Sequence, residues 1–258
     1  MGGAIVGGIR KAGLCSGEQI MVSDINETGL LALQEKYQIQ TTMDNKKVTT
    51  FADILFLAVK PHFYATVIKQ IREILPENTL VVSIAAGQTM EQIESMFGRD
   101  IKLVRTMPNT PALVMEGMSA LSPNAMVTED ELLEVKTIFE SLGRCQVVPE
   151  SLMETVIGVS GSSPAYVYLF IEAMADAAVA GGMPRAQAYE FAAQSVLGAA
   201  KMVLDTKLHP GELKDMVCSP GGTTIAAVAK LEVLGFRGTV MEGVFACTKK
   251  ANEMSRTK

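Results

Sequence analysis

"DILFLAVKP" (53–61) and "LVVSIAAG" (80–87) decide the fold. Each is a short, nearly unbroken apolar run that stops at small or turn-forming residues, the pattern of a parallel strand covered on both faces. Working outward, the segment between them has helical spacing over 62–74. Further strands are expected near 19–23, 39–42, 101–106, 117–121 and 145–148, and further helices over 2–13, 27–37, 89–97 and 129–141. Strand and helix in alternation predict an α/β protein with a doubly wound sheet.

After Pro149 the strand signal stops. The remaining residues read as helices punctuated by "GSSP", "GGMP", "LHPGE" and "SPGG", two of which place proline where a helix is about to start. The character of the chain thus changes near 148–152, giving an α/β domain over 1–149 and an all-helical one over 150–258. "AMADAAVAGG" and "AQSVLGAAKMVL" carry more apolar residues than a one-sided amphipathic helix needs, so the helical part is expected to pack against a second copy of the chain.

Composition bounds the function. The 258 residues fit two ordinary domains, and 48% hydrophobic with 20% charged residues describes a globular chain. A net charge of -5 argues against a nucleic-acid partner. No apolar run reaches membrane-spanning length, and Arg10 and Lys11 follow rather than precede the first apolar stretch, unlike a signal peptide. A cytoplasmic protein is expected. The four cysteines, Cys15, Cys145, Cys218 and Cys247, are scattered without C-x-x-C spacing, so no metal site is expected.

The candidate chemistry lies at strand ends and helix starts. The opening "MGGAIVGG" fits the last part of a G-x-G-x-x-G fingerprint, with Gly2 as the glycine that lets the helix approach the sheet. The two earlier glycines and the strand before them would then lie upstream of residue 1. Asp24 follows Gly2 at the distance where an acidic residue receives the adenosine ribose hydroxyls. Lys60, between an apolar strand and Pro61, is placed to meet phosphate or ribose, and Ala85, Ala86 and Gly87 would let a flat cofactor approach the backbone. In "RTMPNTPALVMEGMSAL" two prolines stiffen a loop in which Asn109 offers donor and acceptor, as a nicotinamide carboxamide requires; a plain turn explains the same residues. "SPGGTT" (219–224) gathers backbone N–H groups and two hydroxyls at the positive end of a helix dipole, a carboxylate-sized anion site or a simple helix cap. His62 and His209 are the only histidines, and no triad can be built from them.

"MGGAIVGG", "AVKP", "SIAAG", "RTMPNTPALVMEGMSAL", "GSSPAYV", "AGGMPRAQA" and "LKDMVCSPGGTTIAAVAKLE" together resemble, in order and over the whole chain, the pyrroline-5-carboxylate reductases. The resemblance implies a Rossmann-type dinucleotide-binding domain, a helical substrate-binding and dimerisation domain, and dimers that assemble further. It implies hydride transfer from NADPH or NADH to C5 of 1-pyrroline-5-carboxylate, giving L-proline. By position, Ser23 and Asp24 would face the adenosine end; Asn45, Ala58, Val59, Lys60, Pro61 and Ala85 to Gly87 would touch the cofactor; Val217, Ser219, Gly222, Thr223 and Thr224 would hold the substrate. Thr224 is the candidate catalytic hydrogen bond to the ring nitrogen. Asp24 would favour NADH, against which Ser23 and Asn26 offer hydrogen bonds to a 2′-phosphate.

Members of that family begin about ten residues earlier, with a strand and turn resembling "IGFIGxGN". Without that strand the middle of the sheet would be stripped, each orphaned buried backbone group costing about 1–3 kcal/mol. Two other readings use the same layout: a β-hydroxyacid-dehydrogenase-like oxidoreductase, and a cofactor-poor relative acting as an oligomeric binding protein.

Overall fold

The computed structural model describes residues 1–256. By contacts the chain divides into two compact units, one comprising 1–162 with the stretch from Ala246 onward, the other Ser163–Phe245. Secondary structure turns all-helical after Pro149, yet the first unit runs on to Ser162 and takes back the end of the last helix. Met153, Ile157 and Ala251 make that extension cohere, packing with Met107 and Ala120 in one buried cluster.

In the first unit the elements are α1 (Gly2–Lys11), β1 (Met21–Ser23), α2 (Glu27–Tyr37), β2 (Gln40–Thr42), α3 (Asn45–Phe51), β3 (Ile54–Leu57), α4 (Tyr64–Ile71), β4 (Leu80–Ser83), α5 (Met90–Phe97), β5 (Lys102–Met107), β6 (Gly117–Pro123), α6 (Glu129–Glu140), β7 (Gly143–Val147) and the short α7 (Met153–Val156). Helix starts follow local chemistry. Asn26 accepts the Gly29 N–H to open α2, and Thr89–Gln92 and Thr128–Glu131 form capping boxes at α5 and α6. Gly98, left-handed at φ 69°, ends α5.

The strands form two sheets, β1–β2 and β3–β4–β5–β6–β7, with no ladder joining β1 to β3. All pairs are parallel except β5–β6, where Val104 faces Pro123 and Met107 faces Ala120. The doubly wound layout therefore carries one reversed strand. The turn that reverses it, Thr110–Val114, closes on Met115 at φ 60°. Period-two alternation sorts the core. Leu80 and Val82 face α1 and α6 through Ile5, Ile9, Val135 and Phe139; Val81 faces α4 and α5 through Ile68, Ile71, Ile93 and Phe97.

The second unit holds α8 (Ser163–Ala180), α9 (Arg185–Thr206), α10 (Pro210–Val217), α11 (Thr223–Val233) and the beginning of α12 (Phe236–Arg256). Among the described residues no helix is long and apolar enough to cross a membrane, and no group of three or more His, Cys, Asp or Glu is placed to hold a metal ion.

Candidate functional site

Two contacts form at the carboxyl ends of strands, Gly2 with Ala58 after β3 and Ser23 with Asn45 after β1. Gly2 is the first residue of α1, and a Cβ there would lie 3.4 Å from the Ala58 Cβ, so the helix start meets the strand end with no side chain between. Ser23 ends β1 and its hydroxyl donates to Asn45 Oδ1 at 2.8 Å. Asn45 opens α3 because Asp44 caps that helix, accepting from the Lys46 N–H. The Asn45 amide in turn donates from Nδ2 to Gln70 Oε1 on α4 at 2.9 Å. Asp24, one residue past β1, folds back so that its carboxylate accepts the Asn26 N–H at 2.9 Å.

The other strand-end residues divide between crevice and core. Lys60 is exposed at the cap of the Pro61–Phe63 turn, and Val59 packs toward the core beneath it. Ala85 is buried and Gly87, at φ 73°, lies against Met254 of α12. Gln88 Oε1 is buried with no partner among the described residues, an orphaned acceptor in the loop after β4. Asn109 is 8% exposed and engages both ends of its amide within the chain, accepting from the Met118 N–H at 2.9 Å and donating to the Ser160 carbonyl at 3.0 Å. It braces the reversing turn against the π-turn Ile157–Gly161. A bare helix start, hydroxyl and amide groups at a strand end, and an unanswered buried acceptor fit a dinucleotide.

The second unit supplies a different surface. Val217 ends α10, and Ser219 to Gly222 turn the chain, with the Gly222 N–H on the Ser219 carbonyl at 3.0 Å. Gly221 takes φ 69°, which the turn requires of a glycine, and a Cβ on Gly222 would meet Ser219 Oγ at 2.5 Å, so a side chain there would have to displace the serine hydroxyl. Gly222 caps α11 with no side-chain hydrogen bond. Neither Ser219 nor a threonine fills the cap, and the first-turn N–H groups have no side-chain acceptor where the helix dipole favours an anion. His209 is a helix cap: its Nδ1 accepts the Gly211 N–H at 3.1 Å.

A family model for pyrroline-5-carboxylate reductase dimerisation matches residues 150–254, and one for coenzyme F420-dependent NADP oxidoreductase matches residues 1–87. The chain is 51% identical over 257 residues to the pyrroline-5-carboxylate reductase of Escherichia coli K12, covering 100% of this chain and 96% of that one. The chain belongs to the pyrroline-5-carboxylate reductase family. The enzyme of Methanosarcina acetivorans is 43% identical over 256 residues, at 99% and 95% coverage. A solved reductase from Coxiella burnetii superposes with TM-score 0.93 at 36% identity, covering 98% of this chain and 94% of that one. The Plasmodium falciparum enzyme, solved with NADP bound, gives TM-score 0.88 at 32% identity, covering 99% and 94%.

Membership of this family accounts for the surface of the second unit. Its buried residues are only Ala175, Ala188 and Ala192, while Leu169, Phe191, Val233 and Leu234 are each 67% or more exposed. Helices this apolar without large buried side chains need cover that one copy does not supply, as a dimerisation region requires.

Gln70, which Asn45 contacts, gave no signal by spacing alone, because an exposed glutamine on an amphipathic helix is an ordinary feature.

Proposed function

We propose that the chain reduces 1-pyrroline-5-carboxylate to L-proline with NAD(P)H. The observation that carries the reading, beside the full-length likeness to the reductases, is the α11 N-terminus, capped by glycine and open to an anion. The nicotinamide, when bound, supplies the hydride.

The residues of the chain have lighter work. Ser23 and Asn45 are suited to the adenosine end, with Asp24 beside them, and the bare meeting of Gly2 with Ala58 admits the cofactor to the backbone. Lys60 is suited to phosphate or ribose, and Ala85 to Gly87 line the neighbouring strand end. The turn Ser219–Gly222 and the first N–H groups of α11 anchor the substrate carboxylate, with Val217 and Thr223 beside it. Thr224 holds the ring nitrogen by a hydrogen bond. A protonated cyclic imine is already electrophilic, so no histidine or paired carboxylate is needed, consistent with His209 serving as a cap. No observation favours the hydroxyacid-dehydrogenase or non-enzymatic reading. The exposed apolar helices of the second unit support a homodimer, which we extend to a larger assembly of dimers in the cytoplasm.

The test is cofactor oxidation dependent on pyrroline-5-carboxylate, with proline measured as product. Turnover with hydroxy acids and none with the imine would overturn the proposal.

A further inference from the structure

We propose that Tyr64 is a positioning residue whose hydroxyl, inserted between the ends of β3 and β4, keeps those strand ends parted and so holds open the crevice that receives the dinucleotide. The inference rests on the cofactor reading above and adds a residue that is 1% exposed and acts from beneath the surface.

The β3–β4 ladder runs from Ile54 beside Leu80 to Leu57 beside Ser83. At its start the Leu80 N–H donates to the Asp53 carbonyl at 2.9 Å; at its end the Ile84 nitrogen lies 3.5 Å from the Leu57 carbonyl oxygen, a loose bond. The Leu57 carbonyl is taken instead by the Tyr64 hydroxyl at 2.7 Å. A carbonyl only accepts, so the one phenolic hydrogen goes there, and the Ser83 hydroxyl, 3.0 Å away, donates to the Tyr64 oxygen. The Ser83 carbonyl in turn accepts from Thr106 Oγ1 at 2.9 Å, which ties the arrangement to β5. Burial pushes the phenol up to about 12, outweighing the Ser83 hydroxyl and the Ile84 and Ala85 amides that favour its anion, so the group remains an O–H.

Two segments start from this point. Ala58 to Pro61 leave β3 and return through the Pro61–Phe63 turn to Tyr64, the first residue of α4, so its bond to Leu57 closes the base of that loop. Ala85 to Gly87 leave β4 just after Ser83 and Ile84. A dinucleotide on an open α/β sheet lies outside the carboxyl ends of the strands, where neighbouring ends must separate. Without the hydroxyl, the Leu57 carbonyl is a buried acceptor whose nearest donor is the Ile84 N–H, and the ladder closes by one more bond. Binding must then break that bond before the same bound geometry is reached, so affinity falls while turnover of the bound complex does not.

Tyr64→Phe keeps the ring in its cluster with Leu55, Ile68, Val81 and Ile93 and removes only the oxygen. The purified full chain is titrated with NADH and with NADPH, following nicotinamide fluorescence, and kcat is measured with pyrroline-5-carboxylate at saturating cofactor. We expect the Kd of the tighter-binding dinucleotide to rise about 2- to 12-fold, the range of one neutral hydrogen bond, with kcat within about twofold of the unaltered chain. A residue that only stabilised the fold would lower the amount of active chain and leave the Kd of the folded fraction alone. Should circular dichroism show Tyr64→Phe unfolded, Tyr64→Met, which fills similar space without an oxygen, carries the same expectation. A Kd that rises less than about twofold overturns the proposal, and so does a kcat that falls along with the affinity. If the unaltered chain binds neither dinucleotide, the cofactor reading falls and takes the role of Tyr64 with it. If it binds one yet leaves the imine unreduced, only the substrate reading falls, and the Kd still decides.

Discussion

Arg105 is the place where one substitution tests how the first unit is held. It lies on β5 with 1% of its side chain exposed, and donates from Nη1 to Glu150 Oε1 at 2.9 Å and from Nη2 to Glu154 Oε1 at 3.0 Å. Glu150 also accepts the Met90 N–H that opens α5, and Glu154 accepts the Ser255 hydroxyl of α12. Gln92 closes the circuit by donating to the Ser255 carbonyl at 2.8 Å. A sheet strand, α5, the 150–154 segment and the last helix thus share one buried cation. Arg105→Met keeps much of the volume and removes the charge. Two charge-assisted hydrogen bonds at about 1.5–3 kcal/mol each give about 3–6 kcal/mol. Glu150 has 29% of its side chain exposed and recovers hydration, whereas Glu154, at 12%, recovers little. That leaves about 3–4 kcal/mol, at the lower end for breaking a buried pair. For a chain of this size the melting temperature should fall by about 6–16 °C. The assay is thermal unfolding by far-ultraviolet circular dichroism at fixed protein concentration, which an oligomer requires. A loss below about 1 kcal/mol would refute the claim that this cation ties the elements together.

The same network gives a pH dependence. Burial works against the charge on Glu154, but hydrogen bonds from Arg105 and Ser255 outweigh it and hold the carboxyl below its ordinary value of 4.5. A folded-state value below the unfolded one stabilises above the unfolded value, and that contribution is lost as pH falls through the folded one. Glu154→Gln should therefore flatten the acid limb of the stability curve below about pH 5, and an unchanged slope counts against the pairing. Gly143→Ala should destabilise by about 2–4 kcal/mol in urea titration. Its φ is 141° and a Cβ would lie 2.2 Å from the Gly117 carbonyl oxygen across β6–β7; a change under about 0.5 kcal/mol would show that the register yields. Thr224→Ala should slow turnover by about 10- to 150-fold, the loss of one hydrogen bond to a charged group. An unchanged rate removes Thr224 from its role at the ring nitrogen.

Elements with strong local signals were legible from residues alone. The span 27–37 for α2 coincides with the structure because Asn26 marks its start, and "LVVS" reads as a central strand because all four residues are buried. Helix α3 was missed: "NKKVTTF" is polar, seven residues long and rich in β-branched residues of low helix propensity, and it is fixed by the Asp44 cap. The reversal of β6 was not legible either, since an apolar run has no direction. That direction is set by the tight turn through Met115, an αL position no local pattern announces. Composition changes at Pro149, but the compact unit follows contacts. Met153 and Ile157 reach back to Met107 and Ala120, and Ala251 returns from nearly a hundred residues away, pairings that no window of sequence contains.

Both candidate sites lean on the backbone more than on side-chain chemistry, and that limits what residue types alone disclose. The anion surface of α11 depends on what is missing: a glycine cap without a hydroxyl leaves amides open, although Ser219 and two threonines stand close enough in sequence to suggest that they close it. After β1, Ser23 and Asp24 were readable as polar residues following a strand, but the bond from Ser23 to Asn45 joins residues 22 apart. Asn45 in turn donates to Gln70, 25 residues on and on another helix. Sequence reading finds the residues that can bond; three-dimensional contacts set the direction of each bond.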